Sequence, residues 1–349
     1  MGKAPSMAEI ARLAKVSKNT VSLALRRDPQ IPESTRRKIE RIAERLGYKK
    51  NPIVARLMAE LRRVDPPGFK SCLAILNANT DQNAFRSHPT IPAYVEGCRR
   101  RANAQGYRLD EFWLHDPALD GARLNKILQA RGIPGVLVVG LMRDNRLPER
   151  FLPTWREFPT VVTGVRTRDP ALSFSCVDHH FLALGAFRQA IGLGYKRPAL
   201  VLDPVIEELV DHRFSAGFQM AQQDLPPRDR IAPLLTPDDS QKTEAAFREW
   251  LVSERPDVLL ILYNTVRKWV ARAGLSVPRD LGIIQLEWRH QSSEVAGMNQ
   301  HNDIVGEAAV EMLVGMILNN ASGIPEFPRA TLIGPSWVDG KSIRSSRSR

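Results

Sequence analysis

The apolar positions in the first fifth of the chain recur at helical spacing and predict three short helices. The apolar faces of the first two consist of Met7, Ile10, Ala11 and Ala14, and of Val21, Ala24 and Leu25. Ser17 is the expected N-cap of the second helix and follows a short turn. The third helix is expected to open at Pro32 and to end before Gly47. This spacing predicts an all-α helix-turn-helix domain over residues 1–49.

A further short helix is predicted directly after this domain. Asn51 is a suitable N-cap, and Pro52 takes the first helical position, where a missing N–H costs nothing. Because the domain offers no partner for the apolar residues that follow, the helix would be marginal alone. We expect it to form against a twin helix, on DNA, or both. Residues 50–69 are therefore predicted to be a hinge helix and linker.

From Ser71 onward, apolar runs typical of buried strands alternate with segments of helical periodicity. The strand-like runs include residues 72–76, 135–140, 199–203 and 257–263. Such alternation predicts parallel sheets with helices on both faces. Since the alternation runs through two series, it predicts an α/β domain of two doubly wound subdomains over residues 70–340. Ligands of such folds bind in the crevice at the carboxyl ends of the strands.

Positive charge is concentrated at the start of the chain. The whole sequence carries a formal net charge of +12. Residues 1–63 hold sixteen Lys/Arg against six Asp/Glu, and the basic tail, residues 341–349, holds four more basic residues, which leaves residues 64–340 close to neutral. A basic module on a near-neutral body is typical of a nucleic-acid-binding protein.

Several classes of protein are disfavoured by features that the sequence lacks. The three cysteines are too widely spaced for a disulfide framework or a metal site. No apolar run suggests a membrane span or a signal peptide, so a cytoplasmic protein is expected. His179 and His180 lack a third metal ligand at suitable spacing and are expected to be surface or helix-cap residues. Because no catalytic or phosphate-binding motif is found, no enzyme and no cofactor is expected.

Residues 7–61 resemble the DNA-binding domain and hinge of the lactose-repressor (LacI/GalR) family of bacterial transcription regulators. The resemblance is carried by Ile10-Ala11-x-x-Ala14-x-Val16-Ser17-x-x-Thr20-Val21-Ser22, by Arg36, by Leu46-Gly47-Tyr48 and by Asn51. It implies a recognition helix in the major groove and paired hinge helices in the minor groove, with Leu57 inserted between base pairs. The expected DNA contacts are Met7, Ser17, Lys18, Asn19, Thr20, Ser22, Leu23, Arg26, Thr35, Asn51 and Leu57.

Two departures from the family pattern leave the operator sequence open. Leu23 stands where many members carry an arginine, so a bidentate contact to guanine is lost there. Lys50 replaces the proline that usually precedes the hinge asparagine.

The body is similar to the periplasmic-binding-protein-like (type I) effector and dimerisation domain of the same family. That similarity implies chain crossings near Gly164 and within residues 288–302. It assigns about 70–164 and 300–322 to the first subdomain, and about 165–296 and 323–340 to the second. The expected effector contacts are Asn77, Asn79, Asp81, Arg213, Phe214, Asn264, Glu287, Trp288 and Gln300.

These effector positions predict a small polar ligand, with a sugar as the favoured class. Asn264 and Gln300 match ligand-binding positions of the family, whereas Glu287 and Gly164 stand where the family carries aspartates. Stacking on Trp288 or Phe214 is expected. Because the usual sugar-clamping residues are the ones that differ, the identity of the effector stays open.

The sequence therefore predicts a homodimeric regulator, a repressor by preference, on a pseudo-palindromic operator, with operator affinity under effector control. An effector-independent or architectural DNA-binding regulator is an alternative, although a two-subdomain body would then be surplus. A secreted sugar-binding protein on the same α/β fold is disfavoured, because it would need a signal peptide and would not begin with a DNA-binding domain. An enzyme on this fold is disfavoured because no catalytic motif is found.

Overall fold

The chain forms two compact units, Met1–Pro67 and Gly68–Arg349. The computed structural model describes residues 7–17, 20–21, 24–25, 31–46, 71–236, 240–290 and 294–344. Within these residues, no helix is long and apolar enough to cross a membrane. The predicted hinge helix and linker, residues 50–69, lie outside them.

The first unit contains two helices that are described throughout, α1 (Met7–Ala14) and α2 (Glu33–Arg45). Between them, Val21 N–H donates to Ser17 O and Leu25 N–H donates to Val21 O, which is the helical i to i−4 pattern. The buried core consists of Ile10, Ala11, Ala14, Val21, Ala24, Ile39, Ile42 and Ala43. The apolar faces predicted from periodicity therefore meet in one core.

The second unit contains two six-stranded sheets. In chain order the strands are β1 (Ser71–Asn77), β2 (Tyr107–Trp113), β3 (Val136–Val139), β4 (Thr160–Thr163), β5 (Ser173–Val177), β6 (Pro198–Leu202), β7 (Leu234–Leu235), β8 (Val258–Ile261), β9 (Gly282–Gln285), β10 (Gly297–Asn299), β11 (Ala330–Ile333) and β12 (Ser336–Val338). The first sheet has the order β11-β5-β4-β3-β1-β2 and is parallel throughout. The second has the order β12-β10-β9-β8-β6-β7 and is parallel except for the β10–β12 pair.

Helices connect most of these strands, as the alternating pattern predicts. They are α3 (Ala84–Ser87), α4 (Ile91–Ala104), α5 (Gly121–Arg131), α6 (Leu152–Glu157), α7 (His179–Gly192), α8 (Pro204–Leu209), α9 (Arg213–Ala221), α10 (Gln241–Glu254), α11 (Asn264–Arg272) and α12 (Asn302–Leu318). Single 3-10 turns occur at Glu149–Phe151, Gln222–Asp224 and Pro227–Asp229.

The predicted subdomain boundaries are wrong at two places. Strand β5 pairs with β4, so the chain does not cross at Gly164. It turns there with a φ of +98°, and Gly164 N–H donates to Ser175 O in the same sheet. Strand β11 also returns to the first sheet, and only β12 joins the second. The first subdomain thus comprises residues 71–177 and 302–333, and the second comprises 178–300 and 336–344.

The crossing between β10 and α12 lies within the predicted range, residues 288–302. The wrong prediction of a crossing near Gly164 has a physical cause. Apolar runs reveal that a strand is buried, but they do not reveal its partner, and no helix separates β4 from β5.

The core of the first subdomain includes a residue from the second. Leu209, at the end of α8, is 3% exposed and joins the cluster that contains Trp155 and Phe174, and Ile206 packs against it. The second subdomain has a separate core around Phe247 and Trp269. An apolar contact therefore joins the two subdomains beside the carboxyl ends of their strands.

Helices α4 and α12 of the first subdomain touch through glycines. A Cβ at Gly306 would lie 2.1 Å from Tyr94 O, and one at Gly97 would lie 1.8 Å from Asp303 O. These distances are too short for any side chain, so the backbone contact requires glycine at both positions. Arg100 adds an ion pair to Asp303 at 2.7 Å on the exposed edge of the contact.

Replacing Gly306 by alanine is expected to lower the free energy of unfolding by about 3 kcal/mol, because the helices must separate. Gly315 is the matched control, since it lies in the same helix with nothing within 4 Å of its Cβ position. Gly315→Ala should instead raise stability by roughly 0.5–1 kcal/mol through helix propensity. Urea denaturation checks both variants, and equal effects would contradict the packing described.

Candidate functional site

The second unit encloses a cavity of about 940 Å³ between its two sheets, here called the cleft. Residues that end or directly follow β1, β3 and β4 line it from the first subdomain, including Asn79, Gly140 and Thr163. Residues that end or follow β8, β9 and β10 line it from the second, including Tyr263 and Gln285. The cleft is therefore where the doubly wound topology predicts a ligand.

Six of the nine predicted effector contacts line the cleft. They are Asn79, Asp81, Phe214, Asn264, Glu287 and Gln300. The carboxylate of Asp81 already accepts from Asn83 N–H and Ser87 Oγ, both at 2.9 Å. Gln300 is oriented by a 3.0 Å bond from its Nε2 to Leu286 O.

The other three predicted contacts do not line the cleft. Asn77 organises the loop after β1, because its Nδ2 donates to the carbonyls of Asp81 and Gln82 at 3.0 Å. The guanidinium of Arg213 donates to Val210 O at 2.8 Å and lies 3.4 Å from the Cys176 sulfur.

Trp288 lines a separate cavity, where its ring contacts His290 edge-on at a centroid distance of 4.8 Å. Of the two aromatic residues proposed for stacking, only Phe214 reaches the cleft.

A polar bridge joins the two subdomains beside the cleft and consists of Thr90, Glu287 and Arg289. Thr90 Oγ1 donates to Glu287 Oε1 at 2.8 Å. Arg289 Nη2 donates to Glu287 Oε2 at 2.7 Å and to Thr90 Oγ1 at 3.0 Å. Because Glu287 is only 8% exposed, its carboxylate depends on these partners for its stability.

A second bridge joins the subdomains near α8. Arg168 of the first subdomain donates to Asp211 at 2.9 Å and to Glu208 at 3.1 Å. Together with Leu209, the two bridges hold the subdomains against each other around the cleft.

His179 lies inside the cleft rather than on the surface, so the prediction of a surface or helix-cap residue is wrong for it. The side chain is buried, and its ring centroid lies 4.8 Å from that of Phe214. Burial, reinforced by the Arg213 cation, lowers the pKa of His179 to about 3. The imidazole is therefore neutral at physiological pH.

In the first unit, Ser17 has the capping role predicted for it. Thr20 N–H donates to Ser17 Oγ at 3.0 Å, and the two hydroxyl oxygens lie 2.9 Å apart. Val21 and Ala24 are buried, so the capped segment turns its apolar side to the core. Thr35 lies half-buried in the first turn of α2.

Met7 begins α1. The remaining predicted DNA contacts lie outside the described residues: Lys18, Asn19, Ser22, Leu23, Arg26, Asn51 and Leu57.

Two of the basic residues of α2 bind the protein's own backbone. Arg36 Nη2 donates to Ile31 O at 3.2 Å, and Lys38 Nζ donates to Ala14 O at 3.1 Å. Lys38 thereby satisfies a carbonyl at the C-terminal end of α1. These two side chains stabilise the helical unit itself.

Comparison with known proteins agrees with both units. The model of the bacterial regulatory proteins of the lacI family matches residues 6–51, and the periplasmic binding protein-like domain matches residues 187–343. The chain carries a helix-turn-helix domain of the lacI type. It is a DNA-binding transcriptional regulator with an α/β domain of the periplasmic-binding-protein type, as the sequence predicts.

Similar proteins match this regulator over nearly its whole length. The HTH-type transcriptional regulator CelR of Thermobifida fusca is 25% identical over 335 residues, which cover 90% of this chain and 92% of the relative. A structure of a CelR–cellobiose complex has a TM-score of 0.57 at 19% identity, covering 97% of this chain and 99% of that one.

A structure of the lac repressor dimer bound to operator and the anti-inducer ONPF has a TM-score of 0.55 at 18% identity, with the same coverage. At these identities the two structures show a shared fold.

The cleft residues that sequence reasoning missed include Thr90, Arg289, His179 and Gln285. Arg289 stands two positions from the predicted Glu287, so proximity could have suggested it. Thr90 is 197 positions from Glu287, and no local pattern links them. Gln285 ends a strand of otherwise apolar residues, where a buried polar side chain is itself a signal.

Proposed function

We propose that this regulator binds a pseudo-palindromic operator as a homodimer, and that a small polar effector, a sugar, controls its operator affinity from the cleft. The observation that carries the proposal is a cavity of about 940 Å³, lined by both subdomains, in a chain with a helix-turn-helix unit. This volume lies within the range of small-molecule sites.

The sugar class is supported by the side chains of the cleft. Amides and a carboxylate line it at Asn79, Asn264, Gln300 and Glu287. The amides can donate to and accept from hydroxyls, and the carboxylate can accept from them. Phe214 supplies an apolar surface for the carbon face of a ring. The similar structures include a CelR–cellobiose complex, which is consistent with this class.

The effector would control DNA binding if it bound one arrangement of the two subdomains more tightly than the other. The Thr90–Glu287–Arg289 bridge and the Arg168–Asp211 pair both span the subdomains, so relative rotation must break or remake them. A ligand that contacts both walls of the cleft favours one arrangement. We propose that this choice orders or disorders the hinge helices on DNA.

On DNA, we propose that Lys18, Asn19 and Thr20 reach base edges in the major groove, and that Leu57 enters a base step in the minor groove. Basic residues of the same unit would contact phosphates and position it. The bond between Ser17 and Thr20 supports this assignment, because it holds the Thr20 hydroxyl at the start of the segment.

Thr20→Ala is expected to weaken operator binding about tenfold and to leave binding to unrelated DNA unchanged, since base contacts carry sequence information and phosphate contacts do not. Operator fragments selected from random DNA and a scrambled duplex give the two affinities at one salt concentration. An equal loss of affinity for both duplexes would show that Thr20 does not contact the bases of the operator.

Sugar binding is tested by thermal unfolding of the full chain with neutral mono- and disaccharides, cellobiose and lactose among them. At least one should raise the melting temperature, because a ligand that binds only the folded state stabilises it by mass action. Asn264→Ala should diminish that rise. Asn103→Ala, an exposed change on α4, is the matched control and should not. If no saccharide shifts the wild type, the sugar assignment fails.

A further inference from the structure

Three buried polar side chains of the cleft wall, Thr163, His179 and Gln285, each have an atom without a hydrogen-bond partner among the described residues, and the last two belong to the second subdomain. His179 and Gln285 are 5% and 6% exposed, and both line the cleft from the second subdomain. Among the described residues, neither His179 Nδ1 nor Gln285 Oε1 has a hydrogen-bond partner. Buried polar atoms are nearly always paired, because leaving one unpaired costs its full desolvation penalty. These two atoms therefore point to a partner that enters the cleft.

Gln285 offers an acceptor whose orientation is fixed. Its Nε2 donates to Leu262 O at 2.6 Å, and a carbonyl oxygen can only accept, so the other end of the amide must be the oxygen. That oxygen, Oε1, is the unpaired atom. A ligand atom that meets it must be a hydrogen-bond donor. An anionic oxygen at this place would be repelled.

His179 offers one donor and one acceptor, because a neutral imidazole carries a single N–H. Its ring is held against Phe214. No ion pair to His179 exists among the described residues, and burial opposes its protonation. A hydroxyl group suits both kinds of nitrogen, since it can donate as well as accept.

The cationic side chains of the cleft lie elsewhere. Arg143, Arg146 and Lys268 line it but are exposed, whereas His179 and Gln285 are buried. The partly buried Arg289 is paired with the buried Glu287 at 2.7 Å, so the unpaired buried atoms of the wall belong to neutral polar side chains.

We propose that His179 and Gln285 are specificity-determining contacts of the effector, each hydrogen-bonding a hydroxyl group of an uncharged, polyhydroxylated ligand. The inference rests on the proposed function. It adds that the ligand is uncharged, and it names two residues that hydrogen-bond its hydroxyl groups. Neither position is among those expected from family resemblance. A site built to bond a hydroxyl discriminates strongly against ligands that lack it.

The test compares neutral saccharides with charged counterparts on the full chain. D-glucose, D-galactose, cellobiose and lactose form the neutral set, and D-gluconate, D-glucuronate and glucose 6-phosphate form the anionic set. Thermal shift identifies binders and calorimetry gives their affinities. We expect binding within the neutral set, and about a tenfold loss of that affinity in both His179→Phe and Gln285→Leu. Unchanged affinity in both variants, or binding confined to the anionic set, would overturn the proposal.

Gln222→Leu is the matched control. Gln222 is also a buried glutamine, but its Oε1 accepts from Ile231 N–H at 2.8 Å, and it does not line the cleft. This variant should be less stable and yet bind the saccharide with wild-type affinity. Loss of affinity in Gln222→Leu as well would mean that destabilisation, not contact, explains the cleft variants, and would count against the proposal.

His179→Phe has a second readout that needs no ligand. Replacing an unpaired buried nitrogen by carbon, beside the ring of Phe214, should raise the melting temperature of the unliganded protein. A lower melting temperature would show that the imidazole already has a stabilising role in the fold. The failures are distinguishable: no saccharide binding by the wild type refutes the sugar proposal, whereas equal binding by wild type and variants refutes only the roles of His179 and Gln285.

Discussion

The crossings of the chain between the two sheets are the constraint on which the rest of the structure depends. The polypeptide passes between the subdomains after β5, between β10 and α12, and between β11 and β12. These connections allow the subdomains to rotate about the crossings but not to separate. Because the strands beside them are parallel, their carboxyl ends and the polar loops that follow must face the same cleft. A ligand in the cleft therefore contacts both subdomains that these crossings join.

The contacts across the cleft differ in strength. Leu209 is buried in the core of the first subdomain, and burying such a side chain contributes about 1.5–3 kcal/mol. Arg168 is 45% exposed on its side chain, so its bridge to Asp211 contributes little in water. Glu287 is buried with Thr90 and Arg289, and removing one partner would leave a buried charge unpaired. The two subdomains are thus held together mainly by the apolar contact of Leu209 and by the buried bridge of Glu287. The unpaired atoms of His179 and Gln285 destabilise the same arrangement.

The helical core of the first unit and the location of the cleft could be predicted from the sequence. Ile10, Val21 and Ile39 recur at helical spacing and meet in one core, because amphipathic helices have one way to bury their apolar faces. The location of the cleft followed from strand–helix alternation alone. The hydrogen bonds that hold Asn77 and Arg213 away from the cleft could not be foreseen, since neighbours in the sequence can point to opposite sides of a wall.

Long-range partners were the main source of error. The pairing of β5 with β4 and the approach of Thr90 to Glu287 depend on tertiary contacts that no local pattern encodes. His179 was expected at the surface because no third metal ligand stands at suitable spacing, yet the ring of Phe214, 35 positions later, packs against it. We propose that a ligand in the cleft and operator DNA each change the affinity of the protein for the other.

The most direct test of this proposal is a thermodynamic cycle on the full chain: operator affinity with and without a bound saccharide, and saccharide affinity with and without operator. The account predicts that both affinities change by the same factor, on the order of tenfold, because coupling between two sites is reciprocal. If a saccharide binds the cleft but leaves operator affinity unchanged, the cleft does not control DNA binding and the account is contradicted.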